Sequence, residues 1–502
     1  MGSVFKPNPN LSRTKNMDDC SKDVINGLPD NLLCQILSNL STKEAALTSL
    51  LSERWRYLFA LVPNLDFDDL SSLHPEIMMQ DQTSFIDFVD RVLKLRGKDH
   101  VNKLSLKCGD GIEDEDVFPW ISNVLRHGVS DLSLHVSPSL VDWLPSKIFT
   151  SKTLVKLEIG GPRVKLRNVC LPRLKTLNLD SVVFEEGEIG FAKLISGCPV
   201  LEELGLAYLS WWDFWDSCSV SSKILRRLTL SCPDYNKNPK SVSFDSPNVV
   251  YLKYSDTIAH KYPRVSFDSL VEASISIRMT KDQRDNVRNA SDVDEETKTE
   301  MVGNAAVFLM GICNVKNLYL SYETLETLNF CYEAIPVFNS LTHLTVDSSN
   351  PEVGWESLPD LLKNCPKLET LVFQGLHHKA TERCGDVCLC QGLEKCPSSL
   401  SQCPVKFLTI LKFGEAYDEG DDLNMEMEME KIKHFLKKMP NLEKLIIYYN
   451  TSVENDLSEV SSQLQMLSEV ASLKCKIQVI SDNLSLSPSF PISLSMKYGL
   501  SL

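Results

Sequence analysis

The segment Leu174–Leu179, LKTLNL, carries the pattern that decides the fold: one apolar residue, two variable residues, then two apolar residues separated by one. Alternate side chains of an extended strand lie on the same face, so Leu177 and Leu179 point together to one side. The pattern recurs along most of the 502 residues. Its 14 copies begin at Val62, Val101, Val129, Leu154, Leu174, Leu201, Leu225, Val249, Leu270, Val315, Leu341, Leu368, Leu408 and Leu442.

The spacing of these copies is that of a repeat protein. Between Val101 and Leu270 they begin 20 to 28 residues apart, close to the spacing of leucine-rich repeats. One repeat cannot bury its apolar face alone, whereas stacked repeats share one core and pair their strand edges. We therefore predict an α/β fold whose larger part is a leucine-rich-repeat solenoid, with parallel strands on its concave face and helices or loops on its convex face.

Composition and charge narrow the classes of function. Lysine and arginine total 52 against 67 aspartate and glutamate residues, a net charge of −15, so the chain lacks the basic excess of a nucleic-acid-binding protein. No apolar run approaches the ~20 residues of a membrane span, and residues 1–20 contain no secretory apolar segment. We expect no nucleic-acid or membrane partner, a location in the nucleus and/or cytoplasm, and mostly reduced thiols among the 16 cysteines.

Three short helices are predicted before the repeats. An apolar stripe at helical spacing follows Pro29, and Ser41 with Glu44 forms the capping-box pattern that begins a second helix. A third helix is predicted from about Ser52. A module of about 40 residues buries too little apolar surface to be stable alone, so another polypeptide is predicted to complete its core, with packing of the helices on the first repeat as the less favoured alternative. The stripe consists of Leu32, Leu33, Ile36, Leu37 and Leu40.

This all-α module resembles an F-box, and the chain as a whole is similar to plant F-box proteins that carry leucine-rich repeats and a carboxy-terminal FBD region. The motifs that carry the F-box resemblance are Leu28-Pro29-Asp30, Leu32-Leu33-x-x-Ile36-Leu37, Thr42-Lys43-Glu44-Ala45, Leu51-Ser52-x-Arg54-Trp55-Arg56 and Val62-Pro63-x-Leu65-x-Phe67. For the FBD region the resemblance rests on CPSSL at 396–400, VKFLTILKF at 405–413 and KIKHFLKKMPNLEKLIIYY at 431–449.

The resemblance implies a non-catalytic subunit of a Skp-cullin-F-box ubiquitin ligase. The F-box would bind the Skp-type adaptor, and through it a cullin-RING ligase, while the repeats bind a target protein for ubiquitination. Two alternatives remain open: a ligase-independent interaction scaffold and a ligand-sensing receptor. The adaptor-binding candidates are Leu28, Pro29, Leu32, Leu33, Ile36, Leu37, Leu47, Leu50 and Trp55.

Five regions are predicted along the chain. A disordered tail at 1–20 precedes the F-box at 21–68, and leucine-rich repeats follow at 69–378. A highly charged insert at about 278–304 has almost no large apolar side chains and is predicted to be a mobile loop within the repeats. An FBD-like region at 379–450 and an extension at 451–502 complete the chain.

Two groups of residues are candidates for binding the target. Trp211, Trp212 and Trp215 follow the repeat LEELGL directly, and clustered tryptophans supply large contact areas at low entropic cost, although such a loop can also pack on its own solenoid. Other candidates are strand residues predicted to point outward. These are Tyr251, Lys253, Tyr319 and His343.

The cysteines are predicted to be core residues or reduced thiols in loops. Cys198 and Cys365 each lie three residues before a repeat, the position of a small core residue. The densest set lacks the paired C-x-x-C spacing of zinc sites, so reduced thiols are favoured over a metal. No nucleotide-binding, hydrolase or metalloprotease motif is present, and neither a catalytic residue nor a cofactor is predicted. The densest set of cysteines consists of Cys384, Cys388, Cys390, Cys396 and Cys403, with His377 and His378 upstream.

Overall fold

The chain divides into two compact units, Met1–Ser133 and Leu134–Leu502. Both belong to a computed structural model of the protein. It describes residues 25, 27–69, 82–97, 99–109, 112–137, 144–161, 163–208, 216–233, 237–288, 304–331, 335–381, 383–390, 399–415, 425–449, 467 and 475–481. Within these ranges no helix is both long and apolar enough to cross a membrane.

The first unit combines the predicted helices with the first repeats. Its strands β1 and β2 are parallel, with Leu65 paired to Leu104. The second helix begins with the predicted capping box, in which the Glu44 amide donates to Ser41 Oγ at 3.2 Å and the Ser41 amide donates to Glu44 Oε2 at 2.9 Å. Its elements are α1 (Asp30–Leu37), α2 (Thr42–Leu47), α3 (Leu58–Leu61), β1 (Asn64–Asp68), α4 (Gln82–Arg96), β2 (Lys103–Cys108) and α5 (Asp114–Arg126), and β3 (Asp131–Val136) spans the division between the units.

One face of the N-terminal helices is sealed within the first unit. Leu33, Leu37 and Phe59 are buried, and the amide of Asp66 in β1 donates to Thr42 Oγ1 in α2 at 2.7 Å. The guanidinium of Arg96, at the end of α4, is buried and donates to the carbonyl oxygens of Ala60, Val62 and His100. The helical module therefore uses the first repeat to complete its core.

The second unit is organised by one main parallel sheet. Its strands follow chain order in the sheet, with the other elements of each repeat lying between them along the chain. These strands are β4 (Lys156–Gly160), β6 (Thr176–Asp180), β8 (Glu203–Ala207), β10 (Arg227–Ser231), β12 (Tyr251–Thr257), β14 (Glu272–Arg278), β15 (Asn317–Leu320), β16 (His343–Asp347), β17 (Thr370–Gln374), β18 (Phe407–Phe413), β19 (Lys444–Tyr449) and β20 (Lys476–Ser481).

The strand register places equivalent repeat positions side by side. Leu204, Leu228 and Leu252 pair in sequence across β8, β10 and β12, and all three are buried. The alternating burial of each strand leaves the intervening side chains on the opposite face. The predicted repeat solenoid with parallel strands is therefore confirmed in this unit.

A second layer covers the buried face of the main sheet, and it differs from the prediction of helices and loops alone. Short strands form a three-stranded sheet and a two-stranded sheet here. Phe244 of the three-stranded sheet packs edge-on against Tyr254 at 5.5 Å between ring centroids, and Phe308 lies 4.9 Å from Tyr254. The layer comprises β5 (Arg163–Val164), β7 (Val183–Phe184), β9 (Ser217–Ser221), β11 (Ser241–Asp245), β13 (Val265–Ser266), and the helices α6 (Gly187–Ser196), α7 (Lys281–Arg288), α8 (304–311), α9 (Tyr322–Cys331), α10 (Leu358–Lys363), α11 (Ser399–Gln402) and α12 (Met425–Lys438).

The charged insert does not interrupt the sheet, because β14 pairs directly with β15. The prediction of a loop from residue 278 is wrong at its start. Arg278 ends β14, where its buried guanidinium donates to Cys232 O and Ser255 Oγ, and Lys281–Arg288 forms α7. An arginine can be ordered in the protein interior when acceptors are present for the N–H groups of its planar guanidinium. Residues 289–303 lie outside the described residues.

The C-terminal region extends the same sheet. Thr370 of β17 pairs with Phe407 of β18, and β19 and β20 follow in parallel register. The compact units divide between residues 133 and 134, and no such division falls at the predicted boundary near 379. A lengthened connection does not end a solenoid if the next strand still pairs. The predicted tail at 1–20 and all of 451–502 except residues 467 and 475–481 lie outside the described residues.

Replacing Arg96 with leucine should destabilise the first unit. The change removes a charged donor from three carbonyl oxygens in a buried environment, which costs about 3 kcal/mol. Hydrogen–deuterium exchange of peptides covering β1 and β2 should accelerate by about 100-fold. Arg91→Leu, at an exposed position of the same helix, is the control and should leave exchange unchanged. Equal exchange in the two variants would contradict this role of Arg96.

Candidate functional site

The first candidate surface is an exposed apolar face on the N-terminal helices, which we call the N-terminal apolar face. Among the described residues of this region nine large apolar side chains are exposed, and Leu50 is 84% exposed. Folded domains rarely leave so many large apolar groups together in water, and such patches mark binding sites. The face consists of Ile25, Leu32, Ile36, Leu40, Leu47, Leu50, Leu51, Tyr57 and Leu61.

The predicted adaptor-binding residues separate into two groups. Pro29, Leu32, Ile36, Leu47 and Leu50 are exposed, and Leu28 is half-buried. The other three predicted residues have relative exposures of 0%, 1% and 7%. They are buried in the helical core, where they support the elements that carry the exposed group. These three are Leu33, Leu37 and Trp55.

Helix geometry explains why the sequence pattern did not separate these groups. Leu32 and Ile36 are four residues apart on one side of α1, whereas Leu33 and Leu37 are four apart on the adjacent side. The pattern gives one broad stripe, and the packing of α3 against α1 decides which half is covered. Tyr57 was missed because it is a single aromatic residue in a 3₁₀ turn, where helical periodicity gives no signal.

An ion pair fixes the chain that enters α1. The Arg54 guanidinium lies 2.7 Å from Asp30 Oδ1 and also donates to Leu28 O. Exposed pairs of this kind contribute little to stability, but a two-point contact holds the entering segment against the turn that carries Arg54. Pro29 and Leu28 are therefore presented at a fixed position beside Leu32.

The second candidate surface is the outer strand face, formed by the strand side chains of the second unit that point away from its core. Tyr251 is half-buried there, and the Arg227 guanidinium lies 4.1 Å from the centroid of its ring. Lys253 and His343 are exposed on the same face, in β12 and β16. These three candidates point outward as predicted.

Tyr319 points to the same face but is held by its own chain. Its hydroxyl donates to Asp347 Oδ2 at 3.3 Å, and burial raises the pKa of this phenol. A partner would compete with this internal hydrogen bond for the hydroxyl. Tyr319 is therefore less available than Tyr251, while Trp211, Trp212 and Trp215 lie outside the described residues.

Aromatic residues near the C-terminal end of the sheet were not predicted. Phe407 and Tyr448 are exposed on the outer strand face, and Val372 and Ile446 occupy outward positions between polar neighbours. The signal was visible in the sequence, because LIIYY and VKFL place apolar residues at outward as well as inward positions. We call Val372, Phe407, Ile446 and Tyr448 the C-terminal apolar strip.

The cysteines fall into two environments. Cys198 and Cys365 are buried, and burial raises the pKa of each thiol to about 12, which confirms that they belong to the core. The cysteine-rich segment behaves differently, because His378, Cys384, Cys388 and Cys390 present their ligand atoms within 4.8 Å of one another. Of the remaining residues in that set, Cys403 is buried, His377 lies 3.3 Å from Glu428, and Cys396 lies outside the described residues.

Family models of known proteins match two parts of the chain. Residues 25–67 match the F-box domain model, and residues 117–266 match a model described as LRR repeats of the FBD-associated F-box protein At5g56370. The F-box/LRR-repeat protein At3g59210 of Arabidopsis thaliana is 77% identical over 97% of this chain and 100% of its own length. The putative F-box/FBD/LRR-repeat protein At3g59240 of the same plant is 49% identical over 95% of this chain and 92% of its own length.

Thiol alkylation should distinguish the core cysteines from an exposed one. With a pKa of about 12, about one in ten thousand Cys198 or Cys365 thiols is ionised at pH 8, and burial also blocks access. Brief treatment of the native chain with N-ethylmaleimide should modify the exposed Cys170 and leave both core thiols intact until denaturant is added. Peptide mass spectrometry provides the readout, and similar rates at all three positions would contradict the assignment.

Proposed function

Because the chain belongs to the F-box/LRR-repeat family, we propose that it is the substrate-recognition subunit of a Skp-cullin-F-box ubiquitin ligase. The observation that carries this proposal is the N-terminal apolar face. The F-box helices bury one side against the first repeat and leave nine large apolar side chains exposed on the other. A Skp-type adaptor would complete this unfinished core.

The energetics of the face fit a stable protein contact. Covering nine half-exposed apolar side chains would contribute on the order of 10 kcal/mol before the costs of association are subtracted. A few central anchors usually dominate such interfaces. Leu47 and Leu50 are 62% and 84% exposed in the second helix and the turn after it, and Leu32 and Ile36 are exposed on α1. We infer that these four are the main anchors.

In this proposal the protein contributes proximity and performs no bond chemistry. The adaptor joins the F-box to a cullin-RING ligase, and the repeats hold a target so that one of its lysines lies near a ubiquitin-charged enzyme. Such tethering replaces a bimolecular encounter with a nearly intramolecular step, in which effective concentrations are high. The chain therefore needs two binding surfaces, and it needs no catalytic residue.

The outer strand face is the proposed site for the target. Tyr251 and Lys253 offer an aromatic ring and a cation on β12, and the C-terminal apolar strip offers exposed apolar area on β17 to β19. Aromatic side chains and neighbouring charges together are typical of the centre and rim of protein interfaces. We infer a target with complementary apolar and acidic groups.

The double variant Leu32→Asp with Leu50→Asp should abolish adaptor binding while the protein stays folded. Both side chains are exposed, so the carboxylates meet water in the free chain but would be buried unpaired in the complex. Affinity for a purified Skp-type adaptor, measured by calorimetry, should fall by at least about 100-fold.

Leu95→Asp is the matched control, because Leu95 is 44% exposed in α4 and Leu32 is 42% exposed in α1. This control should bind the adaptor with wild-type affinity. Unchanged affinity in the double variant would overturn the proposed adaptor site. Leu33→Asp is unsuitable for this test because Leu33 is fully buried and its charge would unfold the helices.

The same double variant should trap targets in plant cells. A chain that holds its target but cannot bind the ligase protects that target from ubiquitination. Proximity labelling without a proteasome inhibitor should therefore recover more of the target with the double variant than with the wild-type chain. Adding Tyr251→Ala and Lys253→Glu should remove these captured proteins. If the wild-type chain and the double variant recover the same proteins, and the ubiquitination of these proteins does not change, the result would favour a ligase-independent scaffold.

A further inference from the structure

The segment between β17 and α11 contains four potential metal ligands in one place. The described part of this segment forms only a single 3₁₀ turn at Gly385–Val387 and an isolated bridge between Gly354 and Lys379. Regular backbone hydrogen bonding therefore contributes little to its order. Yet Cys384 and Cys388 are buried within it, His378 is half-buried, and Cys390 is exposed.

Backbone geometry explains how irregular spacing produces a compact cluster. Gly385 has φ of +62°, a conformation that favours glycine, and a Cβ at this position would lie 2.9 Å from Pro359 Cγ. The chain turns here between Cys384 and Cys388, and Cys390 follows two residues later. The three sulfurs converge through this turn, although the sequence lacks a C-x-x-C pair.

The imidazole of His378 is held beside these thiols by stacking. Its ring lies parallel to that of the buried Trp355, with 4.0 Å between centroids and 13° between planes. The indole is fixed in turn, because its Nε1 donates to Ser348 Oγ at 2.7 Å and Ser348 Oγ donates to His377 O at 2.7 Å. His378 Nε2 lies 3.2 Å from Cys390 Sγ, so the ring is positioned before any ligand arrives.

This imidazole interacts with the Cys384 thiol as well as with Cys390. Nδ1 of His378 is buried and makes no hydrogen bond within the described residues. A buried imidazole nitrogen without a hydrogen bond is costly, and a bound ion or water is one physical explanation for it.

We propose that His378, Cys384, Cys388 and Cys390 bind one Zn²⁺ ion in a tetrahedral structural site. With Zn–S near 2.3 Å and Zn–N near 2.1 Å, tetrahedral donors lie about 3.6 to 3.8 Å apart. The four ligand atoms already lie within 4.8 Å of one another, so only small side-chain rotations are needed. Three thiolates and one imidazole are a donor set that zinc prefers, and four protein ligands leave no open position for catalysis.

The surroundings of the sulfurs suit thiolate ligands. The Cys390 amide donates to Cys388 Sγ at 3.2 Å, and Thr381 Oγ1 lies 3.2 Å from Cys384 Sγ. Binding would release three thiol protons to solvent and leave one net negative charge on the centre. Lys431 supplies a nearby cation, with its ammonium 5.6 Å from the centroid of the Trp355 ring and 2.7 Å from Leu376 O.

The metal would fasten an irregular connection to the elements around it. Within the turn, Asp386 accepts from the Leu400 amide at the start of α11 at 3.0 Å, and its carbonyl oxygen lies 2.7 Å from His434 Nε2 in α12. Fixing Cys384 and Cys388 on either side of Asp386 would hold both contacts in place. The site would stabilise the long step from β17 to β18 and is independent of adaptor binding.

The direct test measures metal in the full-length chain, purified under reducing conditions without chelators. Inductively coupled plasma mass spectrometry should find about one zinc ion per chain. Cys384→Ser with Cys388→Ser should retain at most about a tenth of that amount. The matched control is Cys170→Ser with Cys313→Ser, two cysteines outside the cluster, and it should retain the full amount.

A second measurement covers the case in which the cluster variant fails to fold. Cobalt added to the wild-type apoprotein should give the visible bands of tetrahedral cobalt–thiolate coordination, and His378→Ala should lower zinc affinity by about 100-fold or more in competition with a chromophoric chelator. A wild-type chain with reduced thiols and no metal would overturn the proposal. So would full zinc content in the cluster variant, or recovery of these cysteines as a disulfide.

Discussion

The structure depends on the stacking of equivalent leucines across parallel strands. Leu204, Leu228 and Leu252 show the principle, since each pairs with its equivalent in the adjacent repeat and all three are buried. Hydrogen bonding between strand edges enforces the same register. This constraint explains why β14 pairs with β15, and β17 with β18, across two long connections. The described residues of both connections lie outside the sheet, and the stacking continues beyond them.

The same constraint creates the surfaces available for binding. A strand that buries alternate side chains must present the others outward, so each added repeat extends the outer strand face. At the N-terminus α1 packs against α3, and Leu33 and Leu37 are buried while Leu32 and Ile36 stay exposed. The F-box thus shares its core with the repeats on one side and remains open on the other, which is the property that an adaptor-binding module requires.

The cysteines illustrate how one residue type serves different physical roles. Cys198 and Cys365 occupy the same position, three residues before a repeat, where a small residue is buried in the core. Burial raises the pKa of both thiols, so they are unreactive at neutral pH. Cys384 and Cys388 are also buried, but they lie in a connection with little regular structure and beside an oriented imidazole. Burial alone does not distinguish the two cases, whereas the identity of the neighbours does.

The sequence by itself determined the repeat fold, the F-box resemblance and the core role of Cys198, because periodicity and local motifs are properties of neighbouring residues. It did not determine that Arg278 is ordered at a strand end, that Leu33 is covered while Leu32 is exposed, or that His378 meets three cysteines. Each of these depends on which distant segments pack together. Contacts between residues far apart in the chain carry no local periodic signal, so only the tertiary structure decided them.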